Sequence, residues 1–198
     1  MRRASSQKIG ILGGTFNPIH LGHLLIAQDA MEQARLDRVI FIPAAKPAHK
    51  SAAGLAPARH RLRMVKLAIR GNDRFTVDDI EIRRGGKSYA VDTVTELKRR
   101  NPEARFYFII GSDSLRELHL WKNIARLAKI CTFVVLPRPG CKCKPPRLRQ
   151  SIRLRLVRGR FCDIASRDIR SRIACGQSAR YLVPNAVLNY IERKKLYL

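Results

Sequence analysis

The sequence predicts an α/β protein with a Rossmann-like fold, in which a mostly parallel sheet carries helices on both faces. Two observations support this prediction. Short apolar strands alternate with helical segments along the chain, and the strands are apolar at successive positions, as in strands that are covered on both faces. The connections between such strands are expected to be right-handed crossovers.

The length and composition of the chain favour one domain. The chain has 198 residues, of which 45% are hydrophobic, and this is enough to bury one sizeable core. No internal repeat, low-complexity segment or linker divides it. A single domain is therefore expected to span residues 1 to 198, with a small helical C-terminal part that begins at about residue 166.

Hydrophobic periodicity places the elements of the first half of the chain. Apolar residues at helical spacing, such as Leu62, Val65 and Ile69, indicate the helices. Pro43 ends one strand because proline cannot donate a ladder hydrogen bond. The predicted elements are a strand at Ile9–Leu12, a helix at His20–Leu36, a strand at Arg38–Pro43, a helix at Ala58–Arg70 and a strand at Phe75–Ile82, which Gly85 and Gly86 terminate.

The second half continues the same alternation. Its predicted elements are a helix at Tyr89–Arg100, a strand at Arg105–Ile110, helical segments at Ser114–Trp121 and Ile124–Lys129, strands at Ile130–Leu136 and Phe161–Ala165, and a helix at Ser166–Cys175. Asn185 is expected to cap a last helix that presents Val187, Tyr190, Ile191 and Lys194 on one side. Part of the basic segment before residue 160 is expected to be a packed helix, because it keeps Leu148, Ile152, Leu154, Leu156 and Val157.

The charge of the chain is strongly positive. Lysine and arginine number 40 against 15 acidic residues, which gives +25, and the stretch Arg138–Arg160 holds no acidic residue. Such a charge attracts polyanions, so a basic nucleic-acid-binding protein is an alternative from another functional class. Aromatic residues, which stack on bases, make up only 7% of the chain. We therefore expect nonspecific polyanion binding as a side effect.

The sequence predicts a cytoplasmic protein that has no membrane partner and no metal site of its own. No segment approaches the roughly 18 apolar residues of a membrane-spanning helix, and the apolar run after MRRASSQ is too short for a signal peptide. The five cysteines form no CxxC pair, which favours reduced thiols. Cys141 and Cys143 lack a second pair of metal ligands.

The stretch GGTFNPIHLGHL, which begins at Gly13, separates the first strand from the first helix. Gly13 and Gly14 let the backbone approach a ligand closely, and the start of a helix favours a phosphate group. His20 and His23 lie three residues apart and therefore share a helix face. The stretch lacks the residues of a P-loop, of a dinucleotide fingerprint and of a HExxH zinc site.

This stretch resembles the signature of the nucleotidyltransferase superfamily, [ST]-F-[DN]-P-x-H-x-G-H. The matching residues are Thr15, Phe16, Asn17, Pro18, His20, Gly22 and His23. The resemblance implies that the two histidines bind the phosphates of ATP and stabilise the transition state of nucleotidyl transfer, with Mg²⁺ carried by the triphosphate. It implies ATP contacts at Gly13, Gly14, Thr15, Phe16, His20, Gly22 and His23.

Later stretches resemble segments of the bacterial nicotinate-mononucleotide adenylyltransferases, in order and along almost the whole chain. FIPAAKPAHK implies that Lys46 and His49 bind the mononucleotide and that Lys50 is catalytic. KSYAVDTVTEL assigns Ser88, Tyr89 and Thr93 to the mononucleotide. FIIGSDSLRELHLW assigns Gly111 and Asp113 to ATP and stacks Trp121 on the pyridine ring. IASRDIRSRI assigns Ser166 and a catalytic Arg170 to the ATP phosphates.

The resemblance implies the reaction of ATP with nicotinate mononucleotide, which gives deamido-NAD and pyrophosphate. Pantetheine-phosphate adenylyltransferase is the alternative within the superfamily, although it lacks the S-Y and Trp segments. The chain departs from the family pattern at Ala44, Ala45, Ala165 and Arg167, and the last two exchange a hydroxyl for a cation. The sequence leaves open the oligomeric state, including a homo-oligomer, and the choice between the acid and the amide of the pyridine ring.

Overall fold

A computed structural model describes residues 6–47, 54–137, 146, 151–160 and 162–198. Its strands are β1 (Lys8–Gly14), β2 (Arg38–Pro43), β3 (Lys46–Pro47), β4 (Phe75–Val77), β5 (Lys87–Ser88), β6 (Arg105–Gly111), β7 (Cys131–Leu136) and β8 (Leu154–Leu156). Its helices are α1 (Leu21–Gln33), α2 (Ala58–Ala68), α3 (Ile80–Arg84), α4 (Ala90–Arg100), α5 (Ser112–Arg116), α6 (Ile124–Ile130), α7 (Ser166–Ala174) and α8 (Asn185–Arg193), with a 3₁₀ turn at Leu118–Leu120.

The main sheet has six strands in the order β4-β2-β1-β6-β7-β8, and every neighbouring pair is parallel. The chain runs outward from β1 through β2 to β4, and then crosses to the other side of β1 for β6, β7 and β8. The strand order therefore reverses between β1 and β6. Open α/β sheets bind ligands in the crevice that the diverging loops leave at the carboxyl ends of two such strands, so the ends of β1 and β6 mark the expected site.

Helices cover both faces of the sheet, as predicted. One core layer contains Ala27 of α1, Val65 of α2 and Val187 of α8, and the opposite layer contains Val94 of α4 and Leu127 of α6. The strands contribute alternately to the two layers, because successive side chains of a strand point to opposite faces. The Rossmann-like fold class is therefore confirmed.

Close packing explains Gly10 in the centre of β1. A Cβ atom at this position would lie 2.8 Å from Cδ1 of Leu36 and 3.1 Å from Cδ1 of Ile109. Leu36 reaches this place because the chain leaves α1 at Gln33 and turns back through Arg35, whose φ is +50°. The helix predicted at His20–Leu36 therefore ends three residues earlier than expected.

The predicted strand Phe75–Ile82 is wrong in its second half. Only Phe75–Val77 pairs with the sheet, and α3 begins at Ile80. The Asp78 carboxylate accepts a hydrogen bond from the N–H of Ile80 at 2.9 Å, which turns the chain out of the strand. Ile80 then packs into the core layer of α4. The prediction failed because the apolar side chain of Ile80 fits the alternation of apolar and polar residues expected of a strand, although the backbone leaves the sheet before this residue.

The packed helix predicted before residue 160 is also wrong in the described part. Leu154–Leu156 forms the edge strand β8 and pairs with β7, while Leu148 lies outside the described residues. The strand predicted at Phe161–Ala165 does not form at residues 162–165, and Phe161 is not among the described residues. β8 already occupies the sheet position beside β7.

Smaller differences concern the ends of helices. Asn185 is the first residue of α8, Pro184 is the cap residue, and the side chain of Asn185 does not cap the helix. Lys194 is exposed, whereas the other three residues predicted on its face are buried. The segment predicted as helical from Ser114 begins at Ser112 and ends in the 3₁₀ turn. The short pair of strands β3 and β5 was not predicted.

Candidate active site

The crevice between β1 and β6 is bordered by the signature loop, which follows β1, and by the start of α5, which follows β6. Gly13 is exposed at the rim, and a Cβ atom there would lie 3.5 Å from the ring of Phe108. Phe108 in turn contacts Trp121 edge to face, with ring centroids 5.6 Å apart. The loops carrying the predicted ATP residues and the predicted ring-stacking residue thus meet at one end of the sheet.

The signature loop is shaped by Phe16. Its backbone is in the left-handed region, with φ at +50°, and its side chain is buried against Phe41 and the edge of His23. A Cβ atom on Gly14 would lie 3.0 Å from the Phe16 ring. The protein's own packing therefore favours glycine at residue 14, independently of a ligand.

The two signature histidines lie together at the start of α1. The backbone N–H of His20, the cap residue, donates to Nδ1 of His23 at 3.2 Å. The imidazole rings are in contact, with centroids 3.7 Å apart and planes tilted by 35°, and His20 is 94% buried while His23 is half-buried. A Cβ atom on Gly22 would lie 3.1 Å from Nδ1 of His20, so Gly22 seats this ring. Its predicted contact with ATP stays a prediction.

The hydrogen bond to His23 determines which of its nitrogens can donate. Because Nδ1 accepts the N–H of His20, the proton of a neutral His23 ring lies on Nε2. This donor sits at the positive end of the α1 dipole, where anions are stabilised. His23 can therefore offer a donating N–H to a phosphate chain at this helix start. The N–H of Leu21, one residue into the helix, donates instead to the carbonyl of Leu182 at 3.0 Å.

Residues predicted to bind the mononucleotide are brought together by β3 and β5. Lys46 pairs with Lys87, and the N–H of Ala45 donates to Oγ of Ser88 at 3.0 Å. Lys46 and Ser88, which are 42 positions apart in the sequence, therefore share one small sheet. His49 and Lys50, predicted on the same loop, lie outside the described residues.

Tyr89 and Trp121 lie on the same side of the main sheet. The ammonium group of Lys122 is 4.4 Å from the ring centroid of Tyr89 and 3.2 Å from the carboxylate of Asp92. Trp121 is partly buried and contacts the ring of Phe133 as well as that of Phe108. One edge of the indole is thus held by protein rings.

Thr93 is buried, with 1% of its surface exposed. Its hydroxyl donates to the carboxylate of Glu81 at 2.6 Å and accepts from Nη2 of Arg84 at 3.1 Å. The hydroxyl is therefore engaged within the protein, and Thr93 supports α4 from inside. Its contact with the mononucleotide stays a prediction.

The predicted ATP residues of α7 contact the signature loop directly. Oγ of Ser166 donates to the carbonyl of Pro18, and Nη1 of Arg170 donates to the carbonyl of Asn17, both at 2.9 Å. Ala165, the cap residue of α7, has no side-chain group to hydrogen-bond the first turn, and Arg167 is exposed beside Asp168. The start of α7 has therefore exchanged a polar cap for an exposed cation.

Gly111 and Asp113 lie across the crevice from the signature loop. Gly111 is the last residue of β6 and the cap residue of α5, and Asp113 is half-buried in the first turn of that helix. In the parts of the chain that the structure describes, no group of three or more His, Cys, Asp or Glu side chains could hold a metal ion. Cys141 and Cys143 are outside those parts.

Comparison with known proteins decides the family. Residues 11–172 match the family model described as cytidylyltransferase-like. A probable nicotinate-nucleotide adenylyltransferase of Syntrophotalea carbinolica is 46% identical, with 96% of this chain and 97% of the relative covered. The corresponding protein of Pelobacter propionicus is 43% identical, with 96% and 98% covered. The chain belongs to the nicotinate-nucleotide adenylyltransferase family. Its family prediction is therefore confirmed.

Solved structures with the same fold include more distant adenylyltransferases. Plasmodium falciparum nicotinic acid mononucleotide adenylyltransferase complexed with NaAD superimposes with a TM-score of 0.79 at 19% identity, over 96% of this chain and 97% of that chain. A putative nicotinate-nucleotide adenylyltransferase from Vibrio parahaemolyticus gives a TM-score of 0.69 at 18% identity, over 96% and 95%. At these identities the likeness concerns the fold alone.

The sequence analysis did not predict the structural contacts of three residues at this adenylyltransferase-family site, which are Asn17, Arg61 and Tyr197. Asn17 donates from Nδ2 to the carbonyl of Gly54, and its Oδ1 accepts from the N–H of Ala56 and the hydroxyl of Tyr197. Burial raises the pKa of the Tyr197 phenol, so the hydroxyl keeps its proton as a donor. Arg61 is completely buried. The sequence carried one signal for it, since Arg61 stands three residues before Met64 in the apolar stripe of α2.

No helix among the described residues has the length and apolar character needed to cross a membrane.

Proposed function

We propose that this protein transfers the adenylyl group of ATP to nicotinate mononucleotide, giving deamido-NAD and pyrophosphate in NAD biosynthesis. The observation that carries the proposal is the close pair of His20 and His23 at the start of α1, in a chain that belongs to this family. The pair stands where the strand order reverses, and phosphate groups bind readily at such helix starts.

The reaction is a displacement at the α-phosphorus of ATP. An oxygen of the mononucleotide phosphate forms the new bond to this phosphorus, and the bond to the bridging oxygen of the β-phosphate breaks. Pyrophosphate leaves with that electron pair. The attacking phosphate is already anionic and needs no strong base, so catalysis depends on positioning and on neutralising charge.

The chain's own groups would neutralise the charge that develops on the phosphates. Nε2–H of His23 and the ring of His20 would donate to the phosphate chain, and Arg170 with Ser166 would hold its far end. Donors that are already oriented in the folded site stabilise a charge that develops in the transition state more strongly than water does, because they do not have to reorganise during the reaction. Gly111 and Asp113 would contact the adenosine part across the crevice.

Mg²⁺ would enter as part of the MgATP substrate. It supplies further neutralisation of the triphosphate and commonly keeps water and phosphate ligands rather than an all-protein cage. The proposed site would suit such a substrate, because Arg170 supplies a positive charge beside the signature loop, where its Nη1 donates to the carbonyl of Asn17.

The mononucleotide would bind on the side of β3 and β5. Lys46 and Ser88 would hold its phosphate and ribose, and Tyr89 and Trp121 would enclose the pyridine ring, with Thr93 supporting them from inside. His49 and Lys50 remain predictions of the same kind. We also propose one domain for the whole chain, because α7 and α8 pack on the same core layer as α1 and α2. A cytoplasmic location and a homo-oligomer stay predictions.

The test is a comparison of acceptors. The purified protein is incubated with MgATP and either nicotinate mononucleotide, nicotinamide mononucleotide or phosphopantetheine, and pyrophosphate release is followed while mass spectrometry identifies the second product. We expect deamido-NAD and pyrophosphate in equal amounts, with the highest kcat/KM for nicotinate mononucleotide. Release that depends on phosphopantetheine alone, or on no acceptor, would overturn the proposal.

A further inference from the structure

Arg61, in the first turns of α2, is a buried cation between the loops of the site. None of its surface is exposed, and each of its three guanidinium nitrogens donates to a backbone carbonyl. Nε donates to Ala56 at 2.9 Å, Nη1 to Thr15 at 2.7 Å and Nη2 to Ala45 at 3.0 Å. Burial lowers the pKa of Arg61 from its ordinary value, which reflects the cost of removing the cation from water.

The chemistry of the guanidinium group explains why arginine stands in an otherwise apolar stripe. A buried charge is tolerated when its donors are satisfied, and arginine presents several N–H groups in one rigid plane. A lysine has a single charged nitrogen and cannot reproduce this fork. The three carbonyls come from separate stretches of chain, so one rigid group sets their mutual distances.

The three carbonyls belong to the two halves of the proposed site. Thr15 is part of the signature loop, which carries the predicted ATP residues. Ala45 precedes Lys46, and its N–H is held by Ser88 at 3.0 Å, so this peptide lies among the predicted mononucleotide residues. Ala56 lies immediately before α2. Arg61 therefore connects the ATP half to the mononucleotide half through one side chain.

We propose that Arg61 is a positioning residue that sets the distance between the bound ATP and the bound mononucleotide. This inference rests on the proposed function. In-line transfer requires the attacking oxygen to be held close to the α-phosphorus, and a displacement of about 1 Å can reduce the rate roughly 100-fold. Arg61 acts through Thr15 and Ala45 and touches neither reacting group.

A second contact separates this role from simple support of the fold. Asn17 also joins the signature loop to Ala56, by accepting the N–H of that residue at 3.1 Å. When Arg61 is shortened, Asn17 still ties the signature loop to the start of α2, and Gly14 still accepts the N–H of Ala44 at 2.9 Å, but the carbonyls of Thr15 and Ala45 lose the donor they share. The expected defect is a change in the distance between the two bound substrates, in a protein that still folds.

The test uses Arg61→Ala and Arg61→Lys, with Arg63→Ala as the matched control. Arg63 is two residues away on the same helix, and its side chain is exposed. Turnover is measured with ATP and nicotinate mononucleotide varied in turn, and circular dichroism and thermal unfolding verify the fold. Each assay is repeated with guanidinium chloride at a concentration far below denaturing, and with ammonium chloride at the same ionic strength.

We expect kcat/KM of Arg61→Ala to fall roughly 100-fold and KM for the mononucleotide to rise. Guanidinium, but not ammonium, should then raise kcat/KM of this variant by roughly tenfold. Arg61→Lys should keep the fold and show an intermediate loss, and Arg63→Ala should match the wild type. The proposal is overturned if folded Arg61→Lys keeps wild-type kcat and both KM values. It is also overturned if the loss only tracks the unfolded fraction, with KM unchanged and no guanidinium rescue. The wild-type rate in the same assay tests the proposed function separately.

Discussion

At the scale of single residues, the signature is organised by rings that occupy the space beside glycines. A Cβ atom on Gly14 would lie 3.0 Å from the ring of Phe16, and a Cβ atom on Gly22 would lie 3.1 Å from the ring of His20, and both contacts would be tight. Each glycine stands two positions from the ring that needs it. The spacing of the motif is therefore a packing requirement as well as a requirement for ligand binding.

Replacing either signature histidine by alanine should reduce turnover roughly 100-fold or more, because a preorganised donor to a transition-state charge is worth about 2.7–4 kcal/mol. Steady-state kinetics on variants with wild-type circular dichroism checks this for His20→Ala and His23→Ala. His119→Ala, on the exposed 3₁₀ turn, is the control and should keep full activity. Normal turnover of either folded signature variant would remove that histidine from the mechanism.

Trp121→Ala should raise KM for nicotinate mononucleotide roughly 5- to 150-fold, since stacking of a base on an aromatic ring is worth about 1–3 kcal/mol. KM for ATP should change much less, because the proposed phosphate contacts are His20, His23 and Arg170. The control is Leu120→Ala, at the neighbouring residue, whose side chain is 61% exposed. If Trp121 only packs against Phe108 and Phe133, the variant will lose thermal stability, and the two KM values will change little or by the same factor.

At the scale of elements, α2 and α8 are joined by a polar contact at the edge of their apolar interface. Nδ1 of His60 lies 2.8 Å from the hydroxyl of Tyr190, and the two ring centroids are 5.9 Å apart. Desolvation lowers the pKa of His60 below its ordinary value of 6.5, and Arg59 and Lys194 lower it further. The folded protein therefore resists protonation of this ring.

This depressed pKa makes folding weaker in mild acid. Well above pH 6.5 His60 is neutral in both states and does not affect stability. As the pH falls through 6.5, the unfolded chain takes up the proton before the folded one does, and stability declines. His60→Gln should reduce the fall in Tm between about pH 7.5 and about pH 5. His119→Gln should keep the wild-type slope. Equal slopes for wild type and His60→Gln would contradict the assignment.

The edge strand β8 shows how an element can depend on contacts far along the chain. Arg155 donates to the carbonyls of Gln33 and Ala34, where α1 ends, and Val157 is buried in the adjacent core layer. Asp29 of α1 accepts the N–H of Arg160 at 2.8 Å. The segment is thus held in place by α1 and by β7 together.

At the scale of the whole molecule, the net charge of +25 should produce nonspecific polyanion binding. We expect retention on heparin and binding of single-stranded RNA without sequence preference, with log affinity falling linearly as log salt rises. Sequence-selective binding, or binding that persists at high salt, would instead support the nucleic-acid alternative.

A double variant tests the electrostatic basis of this binding without touching the site. Arg126 and Lys129 are exposed on α6, and changing both to glutamine should reduce the magnitude of the salt slope by about one per phosphate contact removed. Adenylyl transfer should stay at the wild-type rate. An unchanged salt slope would place the contacts on another face of the molecule.

The sequence by itself determined the parts of this protein that depend on neighbouring residues. Alternating apolar strands and helices led to the parallel sheet, and the spacing of His20 and His23 placed both rings at one helix start. The signature and later motifs also led to the family. These features are local, because strand alternation and helix periodicity act within a few residues.

Only the tertiary structure decided which distant segments meet. Ile80 continues a strand pattern but begins a helix, because its N–H donates to the Asp78 carboxylate and the chain turns there, and Leu154–Leu156 becomes a strand because β7 offers an open edge. Arg61 looks like an ordinary helix cation until the chain brings Thr15 and Ala45 within reach of its guanidinium group. The physical reason is that a hydrogen-bonding group or a sheet edge pairs with whichever group the fold brings near it. The separation of two residues in the sequence does not determine their distance in the folded protein.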